Sequence, residues 1–229
     1  RMQTPRSGSA LALMPSEFVR CTTRNTLLST MTVLGAPGEV FLLTHSALRS
    51  HLGLPTTACV ERIHPVSLQT LYRSPRLPGG PMWPGGMAVH GNGDVYVVYG
   101  RYAHRLTREC KVLASCELPV NQAYNSFVVL DNGLLVTKNL SKSDAAVLSV
   151  LDPESLQLLG QGVSCPEPSV ARLSAVGNTV YVVGVRSIFR YHWDEAQRSL
   201  VWDDTWRHDY LSGTAQSFGW DVVLDGQDA

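Results

Sequence analysis

One short block recurs along this chain: a small or polar turn containing glycine, followed at once by an apolar run. The copies are Pro37-Gly38 before Val40-Phe41-Leu42-Leu43, Asn92-Gly93 before Val95-Tyr96-Val97-Val98, Asn132-Gly133 before Leu134-Leu135-Val136, and Gly177-Asn178 before Val180-Tyr181-Val182-Val183. A fifth turn is Asp225-Gly226. The turn glycines 38, 93, 133, 177 and 226 stand 55, 40, 44 and 49 residues apart. Asn-Gly and Asp-Gly suit tight hairpins because both tolerate positive φ. Each copy therefore reads as the first hairpin of a small antiparallel sheet.

A second hairpin repeats at a compatible distance. His64-Pro65-Val66-Ser67-Leu68-Gln69-Thr70-Leu71 agrees with Asp152-Pro153-Glu154-Ser155-Leu156-Gln157-Leu158-Leu159 at five of eight positions, 88 residues on. Two different strand pairs recurring together imply a tandem array of four-stranded units. Short strands with a period of about 40–50 residues are the mark of a β-propeller. The expected fold class is all-β, with blades at 29–75, 84–119, 124–164 and 168–208 and a partial blade at 215–229. Blade one carries an insertion, His45 to Thr57, between its second and third strands. The propeller domain is expected over 16–229, after a disordered segment at 1–15 rich in Pro, Ser, Gly and Arg. The second strand of a fifth blade should begin where the sequence stops. The chain is therefore expected to be a fragment of a six- to eight-bladed propeller, with exposed terminal faces that favour self-association. A complete four-blade ring is the competing reading.

Composition narrows the function classes. Nineteen basic and nineteen acidic residues balance to zero net charge, which gives no electrostatic footprint for nucleic acid. No run of about 18 apolar residues exists, so no membrane-spanning helix is expected. Of the five cysteines, 21, 59, 110, 116 and 165, none forms a CxxC pair, and all read as ordinary thiols. No HExxH or Gly-x-Ser-x-Gly signature appears.

In a propeller the links from each outer strand to the next inner strand line the mouth of the central channel. Here they contain Trp83, Asn121, Gln122, Tyr124, Asn125, Glu167, Gln216 and Trp220. Aromatics beside amides can stack and orient a polar ligand. Basic residues stand near the ends of the second strands: His45, Arg101, Lys138 and Arg186. On a common face they would attract an anion, although solvated strand ends are the simpler reading.

The stretch Pro84-Gly85-Gly86-Met87-Ala88-Val89-His90-Gly91-Asn92-Gly93-Asp94-Val95-Tyr96-Val97 resembles the repeat of NHL propellers and of gluconolactonase-like propellers. The Leu151-Asp152-Pro153-Glu154-Ser155-Leu156 hairpin resembles YVTN and quinoprotein-like propellers. The gluconolactonase resemblance implies a calcium ion in the channel, held in part by an Asn eight residues before a turn glycine. Asn125 has that spacing from Gly133; the equivalent positions are Thr30, Gly85, Ser169 and Phe218. Calcium wants six to eight oxygens, so one Asn is a weak basis for a site. The leading expectation is a binding scaffold whose channel mouth meets a small molecule or protein partner, with no cofactor and no metal. The alternative is a lactonase or esterase-type hydrolase with calcium on Asn125.

Overall fold

The computed structural model describes residues 28–79, 85–210 and 222. They form four antiparallel sheets of four strands, each with its strands in sequence order. The first holds β1 (Leu28–Leu34), β2 (Val40–Ser46), β3 (Ala58–Ile63) and β4 (Thr70–Arg73). The second holds β5 (Gly86–Val89), β6 (Val95–Tyr99), β7 (Tyr102–Leu106) and β8 (Val112–Glu117). The third holds β9 (Tyr124–Val129), β10 (Leu135–Asn139), β11 (Val147–Leu151) and β12 (Leu158–Ser164). The fourth holds β13 (Ser174–Val176), β14 (Thr179–Val183), β15 (Ser187–Asp194) and β16 (Ser199–Asp209). The described residues thus form four blades of a β-propeller. The insertion in blade one contains a short helix, α1 (Ala47–His51).

The repeat that marks the sequence marks the backbone as well. Gly93 and Gly133 sit at the first hairpins with φ of +92° and +85°, the region that glycine enters without steric cost. The outer hairpins match atom for atom. The His64 Nδ1 accepts from the amides of Val66 and Ser67, as the Asp152 Oδ1 accepts from those of Glu154 and Ser155. Leu68 and Leu156 share a φ of 56°. Both donate their amide to the carbonyl of the residue four before, at 2.9 Å.

Apolar runs without alternation imply strands buried on both faces, and the packing explains them. In β6, Val95, Val97 and Tyr99 join Phe41, Leu43 and Val60 in a core between blades one and two. The intervening Tyr96 and Val98 join Tyr124, Phe127 and Leu135 between blades two and three. Val136, Val180, Val182 and Tyr191 meet between blades three and four. Each fully buried side chain of this size contributes about 1.5–3 kcal/mol relative to exposure. The inner strands converge so closely that a side chain on Gly86 would collide with the backbone of Ser126 and Phe127, at 2.3–2.5 Å.

Blades pack in chain order. Strand β1 packs on β5, β5 and β6 on β9, and β12 on β16. Among the described residues no comparable packing joins blades four and one. The expected disordered segment at 1–15 and the partial blade at 215–229 lie outside the described residues, Val222 excepted. The Val222 carbonyl accepts a hydrogen bond from the Ser174 hydroxyl on the inner strand of blade four (2.7 Å).

Candidate functional site

Strands alternate in direction, so the links between blades and the loops joining second to third strands share one end of the array. The turn glycines and outer hairpins share the other. The sequence-expected site residues belong to the link end, and three of them, Trp83, Gln216 and Trp220, lie outside the described residues.

Tyr124, Arg101, Glu167 and Asn125 are engaged in holding backbone. Tyr124 is buried between blades two and three, and its hydroxyl accepts from the Val120 amide (3.2 Å). Burial raises its phenol pKa. Arg101 grips its own link through the Leu118 carbonyl (3.0 Å), the Asn121 side-chain oxygen (3.2 Å) and Glu117 (3.2 Å). Glu167 accepts from the Arg186 amide (2.7 Å) and from the Ser187 amide and hydroxyl (3.3 and 3.1 Å). Arg186 itself is exposed.

Asn125 is 6% exposed and joins blade three to the link that enters blade four. Its amide nitrogen donates to the carbonyls of Val170 and Ala171 (2.8 and 3.2 Å). Its oxygen accepts from the Nζ of Lys138 at 3.1 Å. Lys138 is fully buried on β10, and its Nζ also reaches the Ser169 carbonyl (3.1 Å) and the Asn139 carbonyl (3.5 Å). All three acceptors are neutral. Burial therefore dominates and pushes the ammonium down to about 7, with a smaller opposing influence from Cys165. Of the basic quartet read from the strand ends, Lys138 and His45 are buried between different pairs of blades. Those four residues do not form an open ring.

A second feature of this end escaped the sequence reading. A cavity of about 380 Å³ opens beside blade one. Its wall carries Arg49 from the insertion, with Arg73 and Arg76 from the exit of the outer strand, and Thr44, His45 and Ser46 from the end of β2. Arg49 donates its Nε to the Pro55 carbonyl (3.0 Å), and its amide is capped by the Ser46 hydroxyl (3.2 Å). Arg73 lies 3.4 Å from Glu61. His45 is 5% exposed, and neither ring nitrogen makes a hydrogen bond. Its ring packs against Tyr99 with centroids 5.7 Å apart. Burial lowers its pKa, against a smaller pull from the Ser46 backbone. The four described cysteines, 59, 110, 116 and 165, are free thiols.

Asn125 offers one side-chain oxygen, which already receives the lysine Nζ. Among the described residues no three His, Cys, Asp or Glu side chains cluster as a metal would require. The donors described here do not fit calcium.

No protein-family model and no curated protein matches the chain. Solved structures do match in fold. A protein of unknown function from Bacteroides caccae aligns over 77% of this chain and 67% of its own, at TM-score 0.50 and 11% identity. A luciferin-regenerating enzyme aligns over 71% of this chain at TM-score 0.53 and 12% identity. Virginiamycin B lyase from Staphylococcus aureus aligns over 79% at TM-score 0.54 and 12% identity. The last two are β-propeller proteins, and this chain spans 56% of the length of each. At such identities the likeness is one of fold.

Proposed function

We propose that this chain is a binding scaffold: a rigid propeller wall that presents its link end to a small-molecule or protein partner. The observation that supports this most directly is the way the channel-mouth side chains are used. Asn125, Glu167, Arg101 and Tyr124 each satisfy backbone groups or one another. None of these side chains is held as a nucleophile paired with a base, the arrangement that covalent catalysis needs. What the link end offers instead is shape and charge, concentrated in the cavity beside blade one.

The second reading is a calcium-dependent lactonase or esterase, which the blade-two resemblance favours. It asks Asn125 to bind a cation where its oxygen already receives the Nζ of Lys138. A calorimetric titration with calcium separates the two readings. Binding no tighter than millimolar, with no turnover of a simple lactone or ester, is the expected result. Micromolar binding that vanishes in Asn125→Ala, accompanied by turnover, would replace the scaffold reading with the hydrolase.

A further inference from the structure

We infer that the cavity beside blade one is a binding site for a small oxyanion, a ligand carrying a phosphate or carboxylate group. This rests on the scaffold reading and gives it a ligand class. The volume, about 380 Å³, lies in the range of small-molecule sites. Three guanidinium groups line it, and their donors are only partly used. Arg49 uses its Nε on Pro55, and among the described residues its terminal nitrogens have no partner. Arg73 is paired with Glu61 through its Nε. Arg76 makes no hydrogen bond or ion pair among the described residues. Three like charges around one hollow repel each other. A bound anion relieves that repulsion, and the planar fork of each guanidinium fits a carboxylate or phosphate in bidentate fashion.

Polar groups of β2 share the wall. Thr44 and Ser46 bring hydroxyls to it. The Thr44 hydroxyl donates to the Cys59 carbonyl (3.4 Å), and the Ser46 hydroxyl accepts from the Arg49 amide (3.2 Å). The His45 ring packs away from the hollow, against Tyr99. The site thus combines charge from three arginines with hydroxyls that hold its wall in shape.

The test uses the purified full chain at roughly 0.15 M salt, where loose surface attraction is screened. Phenyl phosphate and succinate are titrated by calorimetry, with inorganic phosphate as the minimal probe. Saturable one-to-one binding of at least one probe is expected. Binding by phenyl phosphate alone assigns the phosphate class, and binding by succinate alone assigns the carboxylate class. Arg76→Ala is expected to weaken binding about tenfold, the loss of one charge-assisted contact. Arg76 is exposed, and a thermal melt beside the wild type checks that the variant is folded. Arg49→Ala should act in the same direction. Lys142→Ala, on an exposed loop of blade three, should leave affinity unchanged. Absence of saturable binding by all three probes overturns the inference, as does binding that survives Arg49→Ala combined with Arg76→Ala. Neither result touches the scaffold reading, which falls only to calcium-dependent turnover.

Discussion

At the scale of single residues, Lys138 is the group whose behaviour departs most from its type. It has neutral acceptors only and is buried between blades three and four. The folded protein therefore favours its uncharged form, with a pKa lowered from 10.5 to about 7. Between those values the unfolded chain holds a proton that the folded chain has released. Stability must then rise with pH across that window, and the full cost of burying the charge is present below about pH 7. In Lys138→Met this slope disappears. The stability difference between wild type and variant is expected to grow in favour of wild type by up to about 1.4 kcal/mol per pH step above 7. The Cys165 thiol, raised above its ordinary value of 9.0 mainly by burial, opposes this slope only above about pH 9, so the comparison is read below that. Thermal melts of the pair from pH 6 to 9 measure it, and a constant difference across that range would refute a neutral buried lysine. The sequence did not reveal this. Lys138 closes an apolar strand and reads there as a solvated end. Its acceptors, Asn125 and the Ser169 carbonyl, arrive from other strands and links.

At the scale of elements, the outer hairpins show how one geometry accepts different chemistry. His64 and Asp152 cap equivalent turns by accepting from two successive amides. Asp194 does the same in blade four, and the Thr107 hydroxyl in blade two accepts from the amides of Glu109 and Lys111. The requirement is an acceptor of short reach, not a particular charge. His64→Asp should therefore leave stability nearly unchanged, whereas His64→Ala should cost about 1 kcal/mol. Urea midpoints would measure both, and equal losses in the two variants would show that the ring matters for packing and not for capping. This level was the most legible in the sequence, because a turn's needs are local. Positive φ calls for glycine at Gly93 and Gly133, and a cap calls for an acceptor at a fixed offset. The cavity was illegible for the opposite reason. Arg49 belongs to an insertion, while Arg73 and Arg76 follow an outer strand; only the folding of blade one brings them to one wall.

At the scale of the whole molecule, the second strands of blades two and three are each shared between two cores. Val97 faces blade one, and Val98, its neighbour in the chain, faces blade three. Residues that share packing partners couple energetically, whereas residues with no shared partner add. A double-mutant cycle of Val97→Ala with Phe41→Ala should show a coupling of about 0.5–3 kcal/mol. The cycle of Val97→Ala with Val98→Ala should be additive to within about 0.5 kcal/mol. Chemical denaturation of the single and double variants measures both terms. The reverse ordering would mean that the blades are not the walls of separate cores. The blade order was legible in the sequence because the turns recur, but the assignment of alternate residues to alternate cores was not.

The shared walls also bear on how such an array could change its length. A blade has two faces, each shaped to a neighbour, and successive interfaces use the same kinds of residue at the same strand positions. Removing one whole repeat brings together two surfaces of already similar design. Duplicating one adds a unit that meets its neighbours on familiar terms. Cutting inside a repeat leaves half a wall on each side and matches nothing. Lineages of this architecture are therefore free to gain or lose blades, but only in complete steps, and a ligand site built within one blade can travel with it.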